Sequence, residues 1–215
     1  RRARPRRPHE VLEFTSARSP TDADGDHPRP FAAEVGGVHL AAIGPNMCAV
    51  AGELADGVRL HPVCSAHFID TEVLPAVARG AARTGRDVDE IEICMKPLIG
   101  TAPNAAALEK VVRTVRARVA FYLSTPSYRR AFQSIGWAEV AEQASVLSRA
   151  QRWEELPELV NDELLHTIAT IGTYDEIADK LNERYANRVQ RLEFSIPVNT
   201  EEDAEAFRSI LAQLR

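Results

Sequence analysis

The sequence predicts an α/β fold built on a parallel sheet, and three stretches carry that expectation. The first is GVHLAAIGPNM at residues 37–47, running into AVAGELADGVRLHP at residues 49–62. Its apolar start, Val38 to Ile43, reads as a short strand. Gly44 and Pro45 form a turn into a helix over about Asn46 to Leu54, and a second strand lies near Gly57 to Leu60, which completes one βαβ unit. The second stretch pairs a helix with a strand. Ile69, Val73, Leu74, Val77 and Ala81 have helical spacing over residues 67–84, and Ile91, Ile93 and Met95 alternate over residues 90–99. The third is residues 104–123, where Leu108, Val111, Val112, Val115, Val119 and Tyr122 share one helical stripe. Elements alternating in this way imply parallel strands joined by right-handed crossovers.

The remaining elements follow in order. Gly85 closes the helix of residues 67–84 as a C-cap, and Pro75 is tolerated near its start. Residues 126–166 are rich in helix without a strand, and short helices broken near Gly136 and Pro157 fit them as an insertion. A weak strand lies near Ile168 to Ile171. Thr173 to Glu176 reads as a capping box opening a helix to about Tyr185. Residues 189–196 place Leu192, Phe194 and Ile196 on one face of a strand. A last helix, Glu201 to Leu214, follows Asn199 and Thr200 as caps. Residues 1–30 differ from all of this: they are rich in arginine, carry prolines at 5, 8, 20, 28 and 30, and lack apolar periodicity. They read as a disordered arm ahead of a domain over residues 31–215.

Composition narrows the function. At 215 residues the chain can bury a core as one domain. A net charge of −5 argues against nucleic-acid binding by the whole molecule, and RRARPRR at residues 1–7 reads as a solvated tail. No apolar run approaches the roughly 18 residues needed to span a bilayer, and no signal-peptide pattern is present. Three cysteines without CxxC spacing fit reduced thiols in the cytoplasm.

Chemistry concentrates at the first βαβ unit. Small residues at the strand's end let a ligand approach the backbone, and the free N–H groups of the next helix favour an anion, usually a phosphate. Elsewhere the readings are bland. His61, Cys64 and His67 lack a fourth metal ligand, so no metal is expected. His166 reads as a helix histidine, Trp137 and Trp153 as packing anchors, Asp56-Gly57 as a turn, and Arg59 and Lys96 as solvated surface. No Ser-His-Asp or paired-carboxylate constellation follows from spacing.

LAAIGPNM, LADGVRLHP, AFYLSTPSYRRAF and IGTYDEIADKLNERY together closely resemble the C-terminal half of the luciferase-like monooxygenase superfamily, in particular its F-420-dependent (deazaflavin) oxidoreductases. The resemblance covers about residues 36–198. It implies a (β/α)₈ TIM barrel of which this chain supplies about strands five to eight. It also implies hydride transfer with coenzyme F-420, or alternatively flavin mononucleotide, acting on a small-molecule substrate. The family's phosphate-binding turn falls on Ala42, Ile43 and Gly44, with Asn46 and Met47 at the helix start. The loop after the next strand adds His61 and Ser65. No catalytic residue is assigned.

The family's first four strands have no counterpart, so a truncated or frameshifted reading frame is expected, and the sequence opens on Arg1. A half barrel leaves two sheet edges unpaired. Its interior faces are expected to be apolar, with Leu40, Ile93, Phe194 and Ile196 exposed. The chain would then self-associate or join a complementary N-terminal half. The alternative function is a non-catalytic half-barrel module for binding or assembly.

Overall fold

The computed structural model describes residues 37–214; the Arg/Pro-rich arm expected over residues 1–30 lies outside them. The fold is α/β with parallel sheets. β1 (His39–Ala42), α1 (Pro45–Leu54) and β2 (Gly57–Leu60) form the expected βαβ unit. The chain then passes through α2 (Ala66–Phe68) and α3 (Leu74–Thr84) to β3 (Glu92–Met95) and β4 (Leu98–Ala102). Next come α4 (Ala105–Leu123), α5 (Arg129–Gln133), α6 (Ala138–Arg149) and α7 (Asp162–Ile168). β5 (Ala169–Thr173), α8 (Ile177–Tyr185), β6 (Arg191–Leu192) and α9 (Glu201–Gln213) complete it. The main sheet has the order β1-β2-β3-β6, all parallel, and β4 pairs with β5 in a second parallel sheet. Four parallel strands with an open face make a partial barrel; among the described residues the sheet does not close.

Several sequence expectations change in detail. The strand over residues 90–99 is two strands in two sheets. Pro97 has no N–H to donate, so the ladder stops at Lys96-Pro97 and β4 leaves to pair with β5. The helix over residues 67–84 is interrupted by a π turn, Ile69–Val73, where the Leu74 N–H reaches the Ile69 carbonyl. Pro75 explains it: its ring would crowd the carbonyl four residues back, and the wider turn makes room. Gly85 does end α3 in the left-handed region, at φ 69°. At Thr173 only half of the capping box forms. The Thr173 N–H donates to Glu176 Oε2 at 3.0 Å, and the helix begins at Ile177. The strand over residues 189–196 shrinks to Arg191–Leu192, after which the chain runs on without regular pairing. The weak strand near residue 170 is real and forms β5. At α9 the capping box of Thr200 and Asp203 is complete. Trp137 packs against the core while Trp153 stays exposed.

α1 and α3 pack with their backbones almost touching. A Cβ on Gly52 would sit 2.1 Å from the Val77 carbonyl oxygen, and one on Gly80 would sit 1.9 Å from that of Ala49. Only glycine fits at either position.

The apolar-interior expectation is overturned. Registered residues of parallel strands share a face, so Leu40, Val58 and Ile93 point one way with Ala42, Leu60, Met95 and Leu192. That face meets the helices: Ile93 is buried in the core, and Leu40, Phe194 and Ile196 pack against it. The open face is polar. His39 Nε2 lies 2.6 Å from Glu92 Oε2, and Arg191 Nε donates to Glu92 Oε1 at 3.0 Å. Arg59 donates to Glu193 at 2.6 Å, and the Cys94 thiol to the same carboxylate at 3.6 Å. The sequence pattern could not separate the two faces, because alternation shows that two faces differ but not which one the helices cover.

Candidate functional site

The C-terminal edge of the main sheet is where β1 and β2 release the chain side by side. Ala42 is registered with Leu60, so Ile43 and His61 leave the sheet as neighbours. Ala42 is buried at the strand end, and Ile43 and Gly44 are half-buried. Gly44 occupies the N-cap of α1 with φ −80° and ψ 151°. No side chain caps this helix, and its first turn holds no acidic residue. Pro45 has no N–H to give. The Cys48 N–H is taken by the Gly44 carbonyl at 3.0 Å. The backbone amides of Asn46 and Met47 are therefore the free donors of the first turn, on residues that are both exposed. A Cβ on Gly44 would meet nothing within 4 Å. An uncapped helix start beside open space suits an anion, since the helix dipole and the amides act together.

The neighbouring loop supplies aromatic walls. The His61 ring stacks on Tyr128 with centroids 4.1 Å apart, and Tyr122 meets it edge-on at 4.9 Å. Its Nδ1 accepts the Val63 N–H at 3.3 Å. Burial lowers the His61 pKa from its ordinary value, which favours the neutral ring. Ser65 is buried, and its hydroxyl accepts the Phe68 N–H at 3.1 Å as the cap of α2. Its place in the structure is thus to fix the loop.

The sequence-predicted residues Ala42, Ile43, Gly44, Asn46, Met47 and His61 gather at this edge, with Ser65 beneath the loop. Tyr122 and Tyr128, which flank His61, are not among the sequence-predicted residues. Tyr122 belongs to the apolar stripe of α4, and Tyr128 sits in the STPSYR motif, where spacing alone gives it no role. The spacing of 61 residues between His61 and Tyr122 gives no local signal that they touch. Arg59, read as solvated surface, is paired with Glu193. Among the described residues no three His, Cys, Asp or Glu side chains converge as a metal site, the His61, Cys64 and His67 trio included. No helix among them is long and apolar enough to cross a membrane. A separate cavity of about 390 Å³ runs between α8, β6 and α9, lined by Leu181, Tyr185, Val189, Leu192, Phe194 and Leu211, and shares no residue with this edge.

Comparison with known proteins places the fold. The family model described as luciferase-like monooxygenase matches residues 2–191. The match begins well before residue 36, where the motif resemblance starts, and so takes in the Arg/Pro-rich segment. An uncharacterized protein of Mycobacterium tuberculosis is 32% identical over 203 residues, 94% of this chain and 58% of that protein. The 5,10-methylenetetrahydromethanopterin reductase of Methanolobus tindarius is 26% identical over 148 residues, 68% of this chain and 44% of the reductase. Among solved structures, the coenzyme F-420-dependent tetrahydromethanopterin reductase of Methanopyrus kandleri superposes with a TM-score of 0.66 at 21% identity. The superposition covers 82% of this chain and 50% of the reductase. The chain thus spans about half the length of the curated relatives it matches.

Proposed function

The chain belongs to the luciferase-like monooxygenase family, and from that membership we propose that it is an oxidoreductase domain that grips the phosphate side of coenzyme F-420. The observation that carries this is the uncapped start of α1, with open space above Gly44 at the C-terminal edge of a parallel sheet. Such edges are where barrels of this kind bind phosphate. The relatives named as F-420-dependent make the deazaflavin the first choice over flavin mononucleotide.

The bound deazaflavin would supply the chemistry, accepting or donating a hydride. The chain's residues bind and orient it. The amides of Asn46 and Met47 donate to a phosphate oxygen. Gly44 and Ala42 keep the approach free of side chains. His61 borders the same opening, and Ser65 holds its loop through the cap on α2. No proton donor for the reaction is assigned to this half of the fold.

The test is titration of F-420 and of flavin mononucleotide into the wild type, Gly44→Ala and Gly44→Asp. Because a Cβ at Gly44 meets nothing and φ is ordinary, Gly44→Ala should leave the thermal midpoint within about a degree. Gly44→Asp should abolish binding by placing a carboxylate where the anion sits. Equal affinity of wild type and Gly44→Asp would reject the site. Tighter binding of flavin mononucleotide would change the cofactor and keep the grip.

A further inference from the structure

His61 is held on three sides by groups that leave one of its atoms to spare. Tyr128 covers a ring face at 4.1 Å, and Tyr122 meets the ring edge-on at 4.9 Å. The two tyrosines also contact each other, with centroids 5.7 Å apart. Tyr122 lies in the last turn of α4, and Tyr128 opens the helical insertion in the short 3₁₀ turn Pro126–Tyr128. The third constraint is the Val63 N–H, which donates to Nδ1. A nitrogen that accepts a hydrogen bond carries no proton, so the hydrogen of the neutral ring sits on Nε2. That atom has no hydrogen-bond partner among the described residues. Register places His61 beside Ile43, one residue from Gly44 and the start of α1.

We propose that Tyr122 and Tyr128 are positioning residues for the cofactor loop. They hold His61 as a neutral ring whose Nε2–H donates to an anionic oxygen of the group bound at the start of α1. The proposal rests on the reading of that site given above. The physical reason for such an arrangement is fixed direction. A free imidazole exchanges its proton between two nitrogens and rotates, so only part of its population offers a donor at a given point. Stacking removes the rotation, and the Val63 amide selects the tautomer. The insertion is thereby tied to the site through contact with one ring, which gives the STPSYR segment a role at the cofactor.

The experiment uses the full chain labelled with ¹⁵N at histidine. Long-range proton–nitrogen spectra report the tautomer directly, and in the free protein His61 should be the Nε2–H form at pH 7. Addition of F-420, and separately of inorganic phosphate, should shift Nε2 and leave Nδ1 nearly unmoved. His61→Phe keeps the stack and removes the donor, and should weaken F-420 binding by about 10- to 100-fold, as loss of a hydrogen bond to a charged group does. His61→Gln, which keeps a donor but loses the stacked ring, should recover only part of the affinity. Tyr128→Leu should mix the tautomers, and Tyr128→Phe should restore a single one. A His61 found in the Nδ1–H form overturns the proposal outright. If the wild type binds F-420, Gly44→Asp does not, and His61→Phe binds like wild type, this proposal falls and the site stands. If the wild type binds neither cofactor, the site falls and takes this proposal with it.

Discussion

Cys48 and Cys64 show how far burial sets chemistry at a single residue. Both are fully buried, and burial pushes their thiols up to about 11 and about 12. Cys94 rises to about 11, first through burial and then through the Glu193 carboxylate beside it. A thiol reacts as its thiolate, so at pH 7.5 all three should react with an aromatic disulfide reagent far more slowly than free cysteine. Denaturant should release them all; fast labelling of any one in the native chain would contradict this packing. Glu92 behaves in the opposite sense. Burial alone would raise its pKa, but hydrogen bonds from Arg191 and His39 outweigh that and hold it below 4.5. A depressed carboxylate contributes stability above its unfolded pKa and loses it as pH falls through the folded value. Glu92→Gln should therefore lower the thermal midpoint at pH 7, and its difference from wild type should shrink steadily as the pH is lowered through the acid range. A difference that does not change with pH would mean the loss came from packing. At this scale the sequence revealed the turn into α1, because glycine, proline and small residues in one run have few other uses. It hid the partners of Arg59 and His61, which lie far along the chain.

Elements were more legible than their ends. The βαβ unit, the long helix α4 and the strand-free stretch of residues 126–166 all follow from periodicity, which a buried stripe imposes on any helix or strand. What was lost depended on the tertiary setting. Pro97 marks a point where a ladder must break, but nothing local shows that the chain will resume in another sheet, or that the segment after Leu192 will find no strand beside it. The glycines of α1 and α3 were passed over for the same reason. Gly52 and Gly80 look like weak points in helices, where glycine costs about 1 kcal/mol relative to alanine. In the fold they are the contact itself, so the usual gain from Gly→Ala should be reversed. A methyl group at either position must push two helix backbones apart, and overpacking of this kind costs about 1 to 3 kcal/mol or more. Gly52→Ala and Gly80→Ala should each lower the unfolding midpoint in urea, whereas Gly44→Ala should not. An unchanged midpoint for Gly80→Ala would show that the helices can separate at little cost.

At the scale of the whole molecule, the charged open face alters what the open sheet requires. An apolar face would have driven indiscriminate aggregation. The face observed here satisfies much of its own polarity, with Glu92 held by Arg191 and His39 and Glu193 by Arg59. These pairs keep partial contact with water, and water is a tolerable neighbour for them. The sheet edges are the remaining liability. Among the described residues β1 and β6 each have a strand on one side only, and beyond Leu192 the backbone runs without a ladder. The apolar cavity of about 390 Å³ lies along that same β6 edge. Edges of this sort are templates for another strand, and an apolar hollow beside one adds a reason for it to be filled. The expected outcome is association through the edges: sedimentation at micromolar concentration should show a mass above the 23.7 kDa of one chain. Little binding of the dye ANS should accompany it, since the open face is not apolar. Hydrogen exchange locates the contact. Amides of residues 39–42 and 193–198 should exchange faster on dilution, while those of β2 and β3, inside the sheet, should not respond. A monomer at all concentrations, with strong protection at both edges, would reject edge pairing. Strong ANS binding by a soluble monomer would instead mean that the helix-covered core, and not the sheet edge, is the surface left open.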